Sequence, residues 1–167
     1  MINLTRGVPA PESYALEQFA DCFSKALQED GSRALSYGSA GGYPPLVELI
    51  AEQENLSVNQ VMVGNGSLEL FQFLTSTEAQ PGDSVLMESP SYDRAVTLMK
   101  RRGLKPVGIP LQTDGVDIDQ LETALKTIKP KFFYLIPDFQ NPMGTTCSLE
   151  KRKRIAELAL KYGFLII

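Results

Sequence analysis

The sequence predicts an α/β fold, a mostly parallel sheet with helices on both faces. Two observations carry this. From residue 60 onward, short apolar runs rich in Val, Ile, Leu and Phe alternate with amphipathic runs of helical period. Turn signals such as Pro81-Gly82-Asp83 separate them. Short apolar strands alternating with helices of about 10–15 residues are the pattern of βαβ units.

The elements follow in order. Residues 13–29 place Leu16, Phe19, Ala20, Phe23, Ala26 and Leu27 at helical spacing before Gly31, so an amphipathic helix opens the chain. The glycine-rich stretch 37–43 is a loop, and Pro44-Pro45 starts a short helix with Leu46, Leu49 and Ile50 on one side. Strands are expected at 60–63, 84–88, 105–109 and 131–136. Helices are expected at 67–78, 92–102, 117–128 and 148–162, the third opening on an Asp-x-x-Gln that resembles a capping box and the last ending at Gly163. The closing run Phe164-Leu165-Ile166-Ile167 reads as a further strand, and with no polar residue or turn after it the C-terminus looks cut.

Composition excludes several classes of function. At 167 residues with 43% hydrophobic positions the chain is long enough to bury a core, and no repeat or linker divides it. A net charge of -4 without a run of five or six like charges argues against nucleic acid or an anionic membrane as partner. The basic run Lys151-Arg152-Lys153-Arg154 reads as a solvated helix face. Histidine is absent, which removes Ser-His-Asp triads, histidine acid/base catalysis and the common zinc and haem sites. Cys22 and Cys147, far apart and outside any CxxC, read as plain buried or half-buried thiols, and no metal site is expected. No apolar run approaches the ~20 residues that span a bilayer, and no signal-peptide core follows Met1, so the expected compartment is the cytoplasm.

In open α/β sheets ligands bind beyond the carboxyl ends of the strands. Three loops there carry candidate chemistry. Gly64-Asn65-Gly66-Ser67-Leu68-Glu69 enters a helix, and reads either as an anion site of free N–H groups or as a tight turn with Ser67 capping the helix. Glu88-Ser89-Pro90-Ser91-Tyr92-Asp93 places Tyr92 at a strand-to-helix turn, either to stack on a planar ligand or as a half-buried helix-start aromatic. Pro137-Asp138-Phe139-Gln140-Asn141-Pro142-Met143-Gly144-Thr145 offers the Asn141 amide to a ligand oxygen, or is simply turn chemistry.

Taken in order, six segments resemble one family. They are Ser36-Tyr37-Gly38 through Gly42-Tyr43-Pro44-Pro45-Leu46; Gly64-Asn65-Gly66-Ser67; Pro81-Gly82-Asp83; Glu88-Ser89-Pro90-Ser91-Tyr92; Asp138-Phe139-Gln140-Asn141-Pro142-Met143-Gly144; and Lys161-Tyr162-Gly163-Phe164-Leu165-Ile166-Ile167. The chain resembles the fold-type I pyridoxal-phosphate enzymes, in the class I/II aminotransferase branch shared by aminoadipate/kynurenine-type aminotransferases and the effector domains of MocR-type regulators. The resemblance spans essentially the whole chain.

It implies the aspartate aminotransferase-like fold, with residues 1–42 an N-terminal segment and helix and 43–167 the N-terminal part of the large cofactor domain. It also implies a seven-stranded sheet in which strand 60–63 is kept from the other four by two strands outside this sequence. The implied cofactor is pyridoxal 5'-phosphate. Gly66, Ser67 and Leu68 would bind its phosphate, Leu68 standing where the family usually has Gln so that only its backbone N–H serves. Tyr92 would stack on the pyridine ring, and Asn141 would hydrogen-bond the ring's phenolic oxygen and lie near the substrate carboxylate. Tyr37 would reach the cofactor of a second subunit in a homodimer, and Gly7 would line the substrate pocket. Met143 replaces the family's usual threonine.

The implied reaction transfers an amino group between an amino acid and a 2-oxo acid. It needs a Schiff-base lysine, an Asp for the ring nitrogen and an Arg for the substrate carboxylate. In the family these come after the Phe-Leu-Ile-Ile strand, so no catalytic residue is assigned and the chain alone is expected to be an inactive fragment. Ser24-Lys25 mimics the lysine motif but precedes the phosphate loop and lacks the Pro-Gly and Arg-Gly pattern that accompanies the true one. The alternative is the effector-sensing domain of a MocR-type regulator. That form needs a winged-helix domain upstream, and a native start at Met1 would exclude it.

Overall fold

The computed structural model describes residues 9–167. The chain divides into two compact units, Met1–Gly64 and Asn65–Ile167.

In the first unit, α1 (Leu16–Ala34) follows a 3-10 turn at Pro11–Ser13 and outruns its expected end. Asp30 departs from helical geometry (φ -146°), and its carboxylate accepts from Arg33 Nε at 2.7 Å and from the Tyr43 hydroxyl at 2.5 Å. The apolar stripe exists but is uncovered: Leu16, Phe19 and Phe23 are each about 70% exposed, and Cys22, expected to be at least half-buried, is exposed as well. α2 (Pro44–Gln53) begins on Pro44, whose missing N–H costs nothing at a helix start. It buries Val47 and Ala51, one turn apart, and leaves Leu46 and Leu49 exposed, so the buried face is not the expected one. Strand 60–63 does not form. Gln60 closes a 3-10 turn, Val58–Gln60, by accepting from the Ser57 N–H at 3.1 Å. Beyond it, the Val63 N–H donates to the Gly41 carbonyl and 61–63 join no sheet.

The second unit holds the sheet. In chain order its elements are α3 (Ser67–Glu78), β1 (Ser84–Ser89), α4 (Asp93–Arg101), β2 (Lys105–Gln112), β3 (Gly115–Val116), α5 (Ile118–Leu125), β4 (Phe132–Tyr134), α6 (Leu149–Tyr162) and β5 (Leu165–Ile166). The strands lie in the order β3-β2-β1-β4-β5. All pairs are parallel except the β2–β3 hairpin, where Leu111 faces Val116. The strands expected at 84–88, 105–109, 131–136 and 164–167 thus lie side by side in one sheet, and β3 is an addition that two residues were too few to announce.

Successive strand residues point to opposite faces, and the core obeys that period. Leu86 and Phe133 pack with Leu121, Leu125, Ile155 and Leu158 of α5 and α6. Val85, Met87 and Phe132 pack on the other face with Phe71, Ala95 and Met99 of α3 and α4. Phe132 and Phe133 are both fully buried, each contributing roughly 1.5–3 kcal/mol to this two-faced core.

Local capping fixes the helix starts. Asp117 accepts from the Gln120 N–H at 3.0 Å, and Ser148 accepts from the Lys151 N–H. The basic run on α6 is not a solvated face. Lys151 Nζ bonds Gln112 Oε1 at 2.6 Å and Asp114 Oδ1 at 2.7 Å, with its side chain only 13% exposed. Arg152 grips Asp138, and Arg154 bonds Glu122 of α5 and Glu157. Three of the four charges thus tie α6 to three other segments.

Candidate functional site

β1 sends the sheet outward to β2 on one side, and β4 sends it to β5 on the other, so the strand order reverses between β1 and β4. At such a switch point the loops part and leave a crevice beyond the strand ends. The expected loops leave from these strands: Tyr92 follows β1 and Asn141 follows β4.

A cleft of about 280 Å³ lies on the α3/α4 face, lined by Ser67, Leu68, Leu70, Phe71, Leu74, Tyr92, Tyr134 and Ile167. Its walls are chiefly apolar. Tyr92 immediately precedes α4, is half-buried and packs on the core of that face. Phe71 lies against Tyr134, with ring centroids 4.9 Å apart.

The polar contribution comes from the start of α3. Gly66 takes a φ of +104°, which L side chains rarely adopt, and open space surrounds the position of a Cβ there. Ser67 is the first residue of the helix and does not cap it. Among the described residues no group accepts from the Ser67 or Leu68 N–H, whereas the Glu69 and Leu70 N–H groups reach the Gly66 carbonyl. The Glu69 carboxylate is turned back onto Asn65, accepting from its N–H at 2.7 Å. Two free N–H groups at a helix start beside an apolar, aromatic cleft suit an anionic group carried on a planar ring.

Ser67, Leu68 and Tyr92 thus line one cleft, and Gly66 directly precedes it. Asn141 is exposed and is not among the lining residues. Tyr37 lies in the other unit, fully exposed. Gly7 lies outside the described residues.

Two further residues at the switch point are charged or polar and buried: Glu88 and Gln140, each 2% exposed. Glu88 Oε2 accepts from the Ile136 N–H and from Gln140 Nε2, both at 3.0 Å. Burial pushes the Glu88 carboxyl above the usual carboxylate range, the two hydrogen bonds opposing it. Sequence reading named Glu88 and Gln140 only as members of their loops, with no role of their own, and passed over Tyr134. For Tyr134 a signal existed, since it shares the period-2 face of Phe132. Gln140 sits among turn residues and gave none.

The class I and II aminotransferase family model matches residues 1–167. The chain belongs to that family. One relative, the 2-aminoadipate transaminase of Thermus thermophilus, is 33% identical over 167 residues, covering 100% of this chain and 42% of that protein. The crystal structure of an α-aminoadipate aminotransferase of Thermus thermophilus, complexed with N-(5'-phosphopyridoxyl)-L-leucine, superposes with a TM-score of 0.90 at 34% identity, covering 96% of this chain and 41% of that one. An uncharacterized HTH-type transcriptional regulator of Bacillus subtilis is 24% identical, covering 99% of this aminotransferase-family chain and 39% of the regulator. The chain therefore spans about two-fifths of the length of these proteins. Among its described residues no helix is long and apolar enough to cross a membrane.

Proposed function

We propose that this chain supplies the phosphate- and ring-binding half of a pyridoxal-phosphate site in a protein that moves an amino group between an amino acid and a 2-oxo acid. The observation that carries this reading is the cleft, where the Ser67 and Leu68 N–H groups, which have no acceptor among the described residues, meet the Tyr92 ring. The Ser67 and Leu68 N–H groups hold the phosphate, with the positive end of the α3 dipole behind them. Tyr92 stacks on the pyridine ring, and Asn141 donates to its phenolic oxygen. When bound, the cofactor supplies an electron sink for bond changes at the amino acid's α-carbon.

Residues 43–167 form the N-terminal part of the large cofactor domain in this reading. Gly7 lines the substrate pocket, and Tyr37 reaches the cofactor of a second subunit, so the whole protein works as a cytoplasmic homodimer. No lysine is among the residues that line the cleft, and in this reading residues 1–167 alone bind the cofactor without a covalent bond and do not transaminate.

Pyridoxamine phosphate, which cannot form an imine with lysine, tests the reading. Saturable binding that weakens in Tyr92→Ala supports it, and no binding overturns it. Borohydride treatment with pyridoxal phosphate should give no adduct confined to one lysine; a single mapped adduct, above all at Lys25, refutes the assignment of non-covalent binding.

The resemblance to the transcriptional regulator favours one second reading, in which the same cleft senses a ligand without turning it over. A winged-helix segment in the reading frame upstream of Met1 distinguishes the two.

A further inference from the structure

Gln140 spends its whole side chain on hydrogen bonds. Nε2 donates to Glu88 Oε2 at 3.0 Å and to the Pro90 carbonyl at 3.0 Å, while Oε1 accepts from the Met143 N–H at 2.9 Å. Its backbone closes the same loop: the Gln140 N–H donates to the Thr145 carbonyl, and the Gly144 N–H donates to the Gln140 carbonyl. One buried amide therefore joins the end of β1, the turn two residues before Tyr92, and the loop that carries Asn141.

The chemistry of the position is restrictive. Two donors and one acceptor must diverge from one planar group, which an amide provides and a carboxylate does not. Glu88 sets the orientation of that amide, because its Oε2 accepts from the Ile136 N–H as well and so presents an acceptor to the donor end of Gln140. The Glu88 carboxylate itself is held by the Ile136 N–H at the end of β4, so the pair spans the two strands that flank the switch point. A half-satisfied buried network is costly, so all its members keep their places together or none does.

We propose that Glu88 and Gln140 are positioning residues of the cofactor site: Gln140 clamps the Asn141 loop onto the turn of Tyr92, and Glu88 orients the clamp. The proposal rests on the reading of the cleft given above. Neither residue touches the cofactor; each acts by fixing where Tyr92 and Asn141 stand relative to one another.

The test uses the 167-residue chain, pyridoxamine phosphate as probe, and amide hydrogen exchange read residue by residue. Gln140→Glu keeps the shape and replaces both donors with a second carboxylate facing Glu88. Gln140→Leu, apolar and without a second buried charge, serves if the first variant does not fold. Affinity should fall about tenfold, the equivalent of one or two lost hydrogen bonds. Exchange should quicken at Met143 and Gly144 while the β1 and β4 amides keep their protection. Unchanged affinity in a folded variant overturns the proposal and leaves the reading of the cleft standing. Quickened exchange throughout the sheet also overturns it, since the role is then general stability. A wild-type chain that binds no pyridoxamine phosphate overturns the reading and the positioning role with it.

Discussion

Arg152 grips Asp138 with both arms of its guanidinium, Nη2 to Oδ1 at 2.6 Å and Nη1 to Oδ2 at 3.2 Å. The same side chain donates from Nη2 to the Pro137 carbonyl and from Nε to the Cys147 carbonyl, so one arginine holds both ends of the loop after β4. A lysine offers a point charge without this fork. Arg152→Lys should therefore leave the sheet intact and raise exchange and proteolytic cleavage within 137–147. Equal protection of that loop in both proteins would show that the fork holds nothing.

The Arg152 guanidinium keeps the Asp138 carboxyl below the usual carboxylate range. A depressed carboxyl contributes stability above its unfolded-state pKa and loses it as pH falls through the folded value. The stability difference between wild type and Arg152→Ala should shrink in acid. Urea midpoints taken across that range check it, and a difference that grows toward low pH contradicts the pairing.

Glu88 gives the opposite sign. Burial raises its carboxyl above the usual range, so its contribution is fullest below the unfolded-state pKa and is lost as pH rises through the folded value. Tyr134 and Cys147, which the Glu88 charge also raises, are pushed up chiefly by burial and stay neutral there. The margin of wild type over Glu88→Gln should narrow with rising pH. A margin that widens excludes burial as the dominant influence on this carboxyl.

Gly115 in the β2–β3 hairpin has a φ of +115°, and a Cβ there would lie 2.8 Å from Cys147 Sγ. Gly115→Ala combines backbone strain with overpacking, and should cost roughly 2–4 kcal/mol by chemical denaturation. Adding Cys147→Ala should return part of that loss. No recovery would mean that the backbone angle alone carries the cost.

Tyr92→Ala should weaken pyridoxamine phosphate by about fivefold, stacking being on the order of 1 kcal/mol. Asn141→Ala should weaken it about 10- to 100-fold, a hydrogen bond to a charged oxygen being worth about 1.5–3 kcal/mol. Isothermal titration of both variants decides, and unchanged affinity in the pair means that the ring lies elsewhere.

Local rules made much of the second unit legible. Phe132 and Phe133 sit on opposite faces because strand periodicity is local, and Asp117 and Ser148 mark helix starts because a cap needs only a residue three positions on. What a sequence window does not contain is the partner. The α1 stripe was readable as apolar, but nothing in it told that Phe19 and Phe23 stay exposed. The charges of Lys151 and Arg154 were readable, but Asp114 and Glu122 lie far back in the chain. In the candidate site, glycine and helix-start chemistry marked Gly66 and Ser67. Gln140 was hidden because its meaning lies with Glu88, 52 residues away.

The strand order also decides where this sheet can grow. On β2 the Lys105 N–H faces inward, donating to the Asp83 carbonyl, so the alternate positions 106, 108 and 110 face the free side. Two of those three are prolines, which have no hydrogen to offer an incoming strand, and β3 covers the remainder of that edge. At the opposite border the Leu165 and Ile167 N–H groups are spent on β4, leaving the half-exposed Ile166 to present its donor and acceptor outward. One border is blunted against accretion and the other is a template. Among the described strands, the border open to an added strand, in folding or in aggregation, is therefore the one beside β5.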